Sequence, residues 1–447
     1  MPNPVDDAPK RPGVIALPED GAAAPQPQSG SRIRSFHRRV AYFSLVALVA
    51  ISLVLWQHPP SISKGEDELF VDAPPSKAHD GRLEPYQTPD SAVYCAEWVP
   101  GEAEGDVSVS FELDSSAQLA FVMARGPLSG DVDIFEDESA SSDAPFSVSI
   151  SGHFPTEEKL AETKACFIGA ASENGVLLWA PPRHPHGNPA HEVRLKISVA
   201  VPRRGGSGGP GYNDFSTDLP LFEHKVGQFF HFITGTTFEA MRLKSANAAI
   251  EFEELVGGAL YVETSNAKVR GFFAGHDLDV RTSNADIVST AFMFGEAEGT
   301  ESLVHIRTSN APIQAQLSLI SDYANNDLRA TVATTNAALK MESRLDMAPN
   351  SAFHLSAHTS NAPAELFIDP SFEGTYDLRT SLASNEILQE ENEDKRRERV
   401  VTKESRGKRA SGEIYWKNLE DGERDGARRL GSLDVRTSLK PVVLHVV

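Results

Sequence analysis

The sequence predicts an all-β chain, built from β-solenoid or β-roll repeats with an antiparallel β-sandwich as the alternative closure, and three observations carry that prediction. A Ser/Thr-Ser/Ala/Thr-Asn-Ala tetrad recurs six times in the second half, at 245–248, 264–267, 282–285, 308–311, 334–337 and 359–362. Residues alternate with period 2 on either side of each tetrad. Three further alternating runs, 107–113, 146–150 and 193–199, lie in the first half between turn-rich stretches. Self-similarity at such a period marks units that bury an apolar face only by stacking, and period-2 alternation marks half-buried strands.

The tetrad asparagines are Asn247, Asn266, Asn284, Asn310, Asn336 and Asn361, so the steps are 19, 18, 26, 26 and 25 residues and the insertions belong between tetrads. Leu278, Val280 and Thr282 face one side, while Asp279, Arg281 and Ser283 face the other. Two degenerate copies around Thr380 and Thr437 keep the strand and lose the Asn. An Asn at this place tolerates the left-handed backbone of a tight bend, and its amide can bond a backbone group or the next Asn. We read the Asn row as structural rather than as a ligand-binding face, since no acid, base or nucleophile travels with it. The small Ala suits a crowded corner, and Pro312 and Pro363 suit a strand start.

These residues resemble a domain family of unknown function described as adhesin-like. Its bacterial members repeat a T-x-N-G motif in a β-solenoid or β-roll, and its fungal members are membrane proteins with T-S-N-A-P repeats. Residues 308–313 and 359–363 are most similar to the fungal version, and 217–222 resembles a segment that precedes the repeats there. The resemblance covers about residues 214 to 447 and departs from the bacterial pattern in having Ala where Gly would follow Asn. It implies an adhesin-like architecture and brings no catalytic residue.

A second feature lies near the start. Residues 40–56 run without a charge and as a helix would be about 26 Å long, enough to span a thin bilayer. The alternatives are a buried core helix or the apolar stretch of a cleaved signal peptide, but the preceding tail is long and no Ala-x-Ala site follows. Arg32, Arg34, Arg38 and Arg39 precede the run and Glu66, Asp67 and Glu68 follow it, which predicts a single-pass type II topology with the ectodomain lumenal or extracellular, in the secretory pathway or at the plasma membrane. The expected organisation is a disordered cytosolic tail (1–38), a transmembrane helix (39–57), a stalk (58–87), a membrane-proximal β domain (88–202) resembling a small sandwich, a Gly-rich linker (203–213) and the repeat domain (214–447). Residues 388–411 are charge-dense without apolar periodicity and read as a disordered insertion; the alternative is a dibasic processing site at Lys395-Arg396 or Lys408-Arg409.

The net charge of −21 argues against nucleic acid, whose phosphates need clustered Lys and Arg. The two cysteines, Cys95 and Cys166, both fall on the predicted lumenal side, where a disulfide is favoured over a metal site or nucleophile. His184, His186 and His191 have ligand-like spacing in a Pro-rich loop, and the acidic run from Asp131 to Glu138 has D-x-D spacing without an EF-hand's Gly and terminal Glu. We read the first as an exposed turn and the second as a solvated hairpin. No cofactor or nucleophile motif is present.

Arg281, Arg307, Arg379 and Arg436 each directly precede a tetrad Thr or its degenerate equivalent. Stacking would align them in a broken basic stripe able to meet an anionic polysaccharide or lipid, or would leave them as salt-bridged surface decoration. Two function classes follow: a non-catalytic, membrane-integral, adhesin-like surface for cell-wall polysaccharide or another surface protein, and a carbohydrate-active β-helix enzyme, which would need acids gathered on one face.

Overall fold

The computed structural model describes residues 86–170, 172–182, 193–204, 211–229, 237–295, 297–321, 323–348, 350–390, 396–420, 422 and 431–446. All of them belong to the unit 62–447; the unit 1–61 lies outside them. The predicted tail, transmembrane helix and nearly all of the stalk therefore fall outside the described residues. Among the described residues no helix is long and apolar enough to cross a membrane.

The described chain is nearly all β, with one short helix at Glu157–Glu162 capped by Thr156. Strands of mixed orientation form two sheets. The first begins with antiparallel pairs, Tyr94–Ala96 on Lys164–Gly169 on Glu173–Trp179, and turns parallel where Glu173–Trp179 meets Leu119–Arg125. The second begins likewise with Asp106–Leu113, Phe146–His153 and Val193–Pro202, then pairs Val193–Pro202 in parallel with Leu128–Asp137. The runs expected as strands in this half are strands, with Val107, Val109, Phe111 and Leu113 inward on the first of them.

This half does not close as a separate sandwich. Leu119–Arg125 pairs in parallel with Tyr212–Asp218, and Leu128–Asp137 with Phe222–Gln228, so both sheets and one apolar core continue from Val107 to Val446. The linker expected at 203–213 does not separate two cores. At its described ends Arg204 lies over the Tyr212 ring, 4.0 Å from the centroid, and Nη1 donates to the Gly211 carbonyl at 2.7 Å. A parallel partner lies some ninety residues away, which no local pattern reveals.

Beyond Phe238 the chain repeats one unit: a strand in the first sheet, a tetrad corner, a strand in the second sheet, and a return. First-sheet strands Asp277–Arg281, Glu301–Thr308, Asp327–Thr334 and Ala352–Thr359 pair in parallel and in register. Second-sheet strands Val269–Gly275, Ile287–Phe294, Ile313–Ser321, Leu339–Met347 and Ala364–Ile368 do the same. The extra residues of the longer steps sit in the returns, as at 297–300, whereas the 18-residue step turns back through His276 alone. There Gly275 lies against the Gly257 carbonyl, where a Cβ would approach to 2.2 Å.

The two degenerate copies are full units placed out of chain order. Gly431–Arg436 inserts between Ala352–Thr359 and Gly374–Arg379, and Val442–Val446 between Ala364–Ile368 and Asn385–Gln389. Residues 388–411 differ from the expected disordered insertion: described strands Arg397–Val401, Glu404–Arg406 and Arg409–Asn418 lie there or start there, and 391–395 fall outside the described residues. Arg409–Asn418 pairs antiparallel with Gly374–Arg379. Its anchors, Ala410, Ile414 and Trp416, are buried, and Arg399 packs on the Trp416 ring while donating to the Asp369 carbonyl at 3.1 Å. Those anchors fall mostly after the charged run, and the run itself supplies the solvent-facing half of the strands.

Cys95 and Cys166 face each other across an antiparallel pair and form the expected disulfide. It closes a span of 71 residues, for which loop entropy gives about 4 kcal/mol. Reduction, or the Cys95→Ser/Cys166→Ser pair of substitutions, is expected to lower the urea midpoint by a corresponding amount while leaving the parallel units folded; urea titration followed by circular dichroism checks this.

His224 is fully buried at the start of the parallel stack. Its Nδ1 donates to the Phe222 carbonyl (3.0 Å) and its Nε2 accepts from the Thr217 hydroxyl (2.8 Å). Burial pushes its pKa down to about 4, partly offset by the Phe222 bond. The unfolded chain takes up this proton near pH 6.5, the folded chain only near 4, so the contribution is full above about pH 6.5 and falls by about 3 kcal/mol as pH drops toward 4. Thermal melts at pH 7 and 4.5 are expected to differ less for His224→Gln than for the parent, by about that amount.

Candidate binding face

The tetrad corner fixes which side chains line up on the faces. In each tetrad the Thr or Ser side chain is buried, and its hydroxyl bonds a corner carbonyl: Thr334 to Ala311 O at 3.1 Å, Thr359 to Ala337 O at 3.0 Å. The carbonyl of the residue before Asn accepts two backbone N–H groups from the next unit, as Ser283 O does from Ser309 (3.1 Å) and Asn310 (2.9 Å). The Asn side chains form an unbroken chain of amide bonds. Each Nδ2 donates to the preceding Oδ1: Asn266 to Asn247 (2.7 Å), Asn284 to Asn266 (2.8 Å), Asn310 to Asn284 (2.7 Å), Asn336 to Asn310 (2.7 Å) and Asn361 to Asn336 (2.6 Å). None of the six is in the left-handed region, so amide pairing rather than backbone strain is the reason for Asn.

An interior Asn makes two such bonds and Asn247 one. With a net value of about 1 kcal/mol per neutral hydrogen bond at most on an exposed edge, Asn310→Ala is expected to cost about 1–2 kcal/mol and Asn247→Ala about half as much. Chemical denaturation of the two variants tests the difference.

Register places the arginines as the sequence suggested. One row on the outer face of the first sheet reads Arg281, Arg307, Ala333, His358, Arg436, Arg379, Arg409 in spatial order. Neighbours are about 4.8 Å apart along it. The adjacent row reads Asp279, His305, Thr331, Ser356, Asp434, Asp377. Three of the four predicted arginines are forked onto the carboxylate two residues earlier: Arg281 on Asp279 (2.8 and 2.5 Å), Arg436 on Asp434 (2.9 and 2.5 Å), and Arg379 on Asp377. Arg409 also bonds Asp377, at 2.8 Å through each of two nitrogens. Burial alone would raise the Asp377 carboxyl, but the hydrogen bonds and charges of Arg379 and Arg409 hold it at about 2.

Arg307 differs. His305 stands where its Asp would be, and neither Arg307 nor His305 has a hydrogen-bond or ion-pair partner among the described residues; Arg307 Nε and His305 Nδ1 are both shielded from water. His305 does not stand out in the sequence by itself. The alternation of Asp and Arg two residues apart is the readable signal, and the exception at His305 is visible only beside that rule.

The remaining candidates lie apart from this row. Of the acidic run, Asp131, Asp133 and Glu138 pair with Arg194, Lys196 and Arg203. His184, His186 and His191 lie outside the described residues. Among the described residues no three His, Cys, Asp or Glu side chains gather as metal ligands. Arg409 of the dibasic pair is held in its strand, and Lys395 is outside the described residues. An open cleft beside the terminal antiparallel strands is lined by Tyr376, Asp377, Thr402, Arg409, Glu413 and Tyr415. Asp377 is doubly paired there, and burial pushes the Tyr376 phenol up to about 12 while its hydroxyl donates to Thr402 O at 2.5 Å. Neither group is set to exchange a proton near neutral pH.

No family model matches the sequence, and no curated protein does. Among solved structures the chain is similar to a "putative cell adhesion protein" from Clostridium sporogenes (7% identity, 76% of this chain and 98% of that one, TM-score 0.19). It is also similar to "putative adhesins" from Bacteroides fragilis (7%, 76% and 98%, TM-score 0.25) and Parabacteroides merdae (10%, 61% and 97%, TM-score 0.26).

Proposed function

We propose that the chain is a single-pass type II membrane protein whose stacked units form a β-solenoid, and that the solenoid presents a non-catalytic, adhesin-like surface to cell-wall polysaccharide or another surface protein. One observation carries this reading: in-register pairing makes the outer face of the first sheet a continuous row of side chains. A long regular face suits extended partners rather than small substrates. Asp279, Asp327, Asp377 and Asp434 on it are each engaged by the arginine two residues on, an arrangement that holds shape and ties these acids to cations rather than to a base. The anchor rests on the charge-free run at 40–56 and its flanking arginines.

The test is a panel of cell-wall polysaccharides and surface-protein extracts probed with the purified full-length protein, with product analysis on the same samples. Retention without breakdown is the expected result. Breakdown of any glycan would replace the reading with an enzymatic one.

A further inference from the structure

We propose that the outer face of the first sheet carries an anion-binding subsite centred on Arg307 and floored by Ala333, which takes the carboxylate or sulfate group of an acidic glycan. This deepens the binding-surface reading and rests on it.

The charge pattern of this face breaks at one unit. Elsewhere along it each arginine is held by a carboxylate: Asp279 holds Arg281, Asp434 holds Arg436, and Asp377 is shared by Arg379 and Arg409. Asp327 is likewise engaged by Arg329. At Arg307 the fork is missing, because His305 occupies the carboxylate's place. Arg307 Nε and His305 Nδ1 lie on the same face of one strand, two residues apart, both shielded from water and both without a partner among the described residues. A shielded guanidinium N–H left unpaired is costly, and an anionic oxygen is the group that matches its forked donors.

The surroundings leave room for one. The next position in the row is Ala333, beside Thr331 in the adjacent row, so two short side chains follow two long ones. Beyond them stand His358 and Ser356, joined by a 2.6 Å hydrogen bond. Asp434 acts on the His358 ring, opposed by Arg436 and Arg307, and Asp279 and Asp277 act on His305, opposed by Arg307 and Arg281. Around the shallow floor Asp279, Asp434 and Asp327 each hold the arginine two residues on, which leaves Arg307 as the cation beside it without a carboxylate of its own. Hydroxyls at Thr331 and Ser356 flank the floor, in reach of sugar hydroxyls. A flat, open subsite between short side chains fits an acidic residue within a chain better than a small free anion, which would gain from enclosure.

Isothermal titration of the full-length protein in detergent micelles tests this, with four probes: an oligogalacturonate hexamer, a heparin hexasaccharide, a neutral cello-oligosaccharide of the same length, and inorganic sulfate. One or both acidic hexamers are expected to bind, with affinity falling as salt rises, and the neutral hexamer not. His305→Asp installs the Asp-x-Arg fork that the neighbouring unit already accommodates, so it should leave the melting temperature in place and weaken binding by about tenfold or more. Arg307→Gln should do the same. Removing one neutralised pair, Asp434→Asn with Arg436→Gln, should change affinity by less than about twofold. Undiminished binding by His305→Asp overturns the subsite, as does binding of inorganic sulfate without either acidic hexamer. If the acidic hexamers fail but neutral glycans or a surface protein bind, the subsite falls while the binding-surface reading stands.

Discussion

The corner carbonyl is the constraint on which the rest of the stack depends. At each tetrad the oxygen of the residue before Asn accepts two N–H groups from the unit above it, and that double acceptance sets the offset between consecutive units to zero. The last two units show that this bond is the primary one. Leu439 and Leu382 occupy the Asn position there, yet their N–H groups still reach Ser360 O and Ser438 O at 3.0 Å. The amide chain is lost and the register survives. The Asn ladder therefore reinforces an alignment the backbone has already made, and the buried Thr hydroxyl serves the same corner by donating to one of its carbonyls, as Thr334 and Thr359 do to Ala311 O and Ala337 O.

Zero offset has a consequence for electrostatics. Like residues at like positions stack about 4.8 Å apart, so a repeat carrying one Arg per unit would line up positive charges without relief. The chain avoids this by placing an Asp two residues before three of the arginines, on the same face, where a fork can close within one strand. The face is dense in charge, most of it paired within or between neighbouring strands, and the net −21 is not expressed there as a one-signed field. Against such a background a single unpaired guanidinium is a distinct chemical feature rather than one charge among many.

The sequence made the repeating part legible because its information is local. Thr282, Asn284 and Ala285 each report a fixed place at a corner, and the alternation of Leu278, Val280 and Ile287 reports the inward face. What it could not report was pairing over distance. The join between Leu119–Arg125 and Tyr212–Asp218 and the insertion of Gly431–Arg436 ahead of Gly374–Arg379 are absent from any window of neighbouring residues. So is the rescue of a charge-dense segment by Ile414 and Trp416. The proposed binding face is legible in the same partial way: the arginine row follows from the tetrad spacing, while the significance of His305 needs both the register and the rule it breaks.

The edges are built against strand addition, which leaves the faces rather than the ends for the proposed binding. A stack of parallel strands could grow by adding further copies at either end, but each described edge strand is short. Tyr94–Ala96 has three residues, and Val99–Pro100 has two and includes a proline. At the far end Asn385–Gln389 has five, while the first sheet finishes in antiparallel strands Arg397–Val401 and Glu404–Arg406, rich in charge. Short, charged or proline-bearing edges discourage strand addition. With growth from the ends disfavoured and the interior filled by apolar side chains, the long outer faces are the surface the proposed binding would use. Along the first sheet, the place where the pattern of self-neutralisation lapses is the unit that holds Arg307.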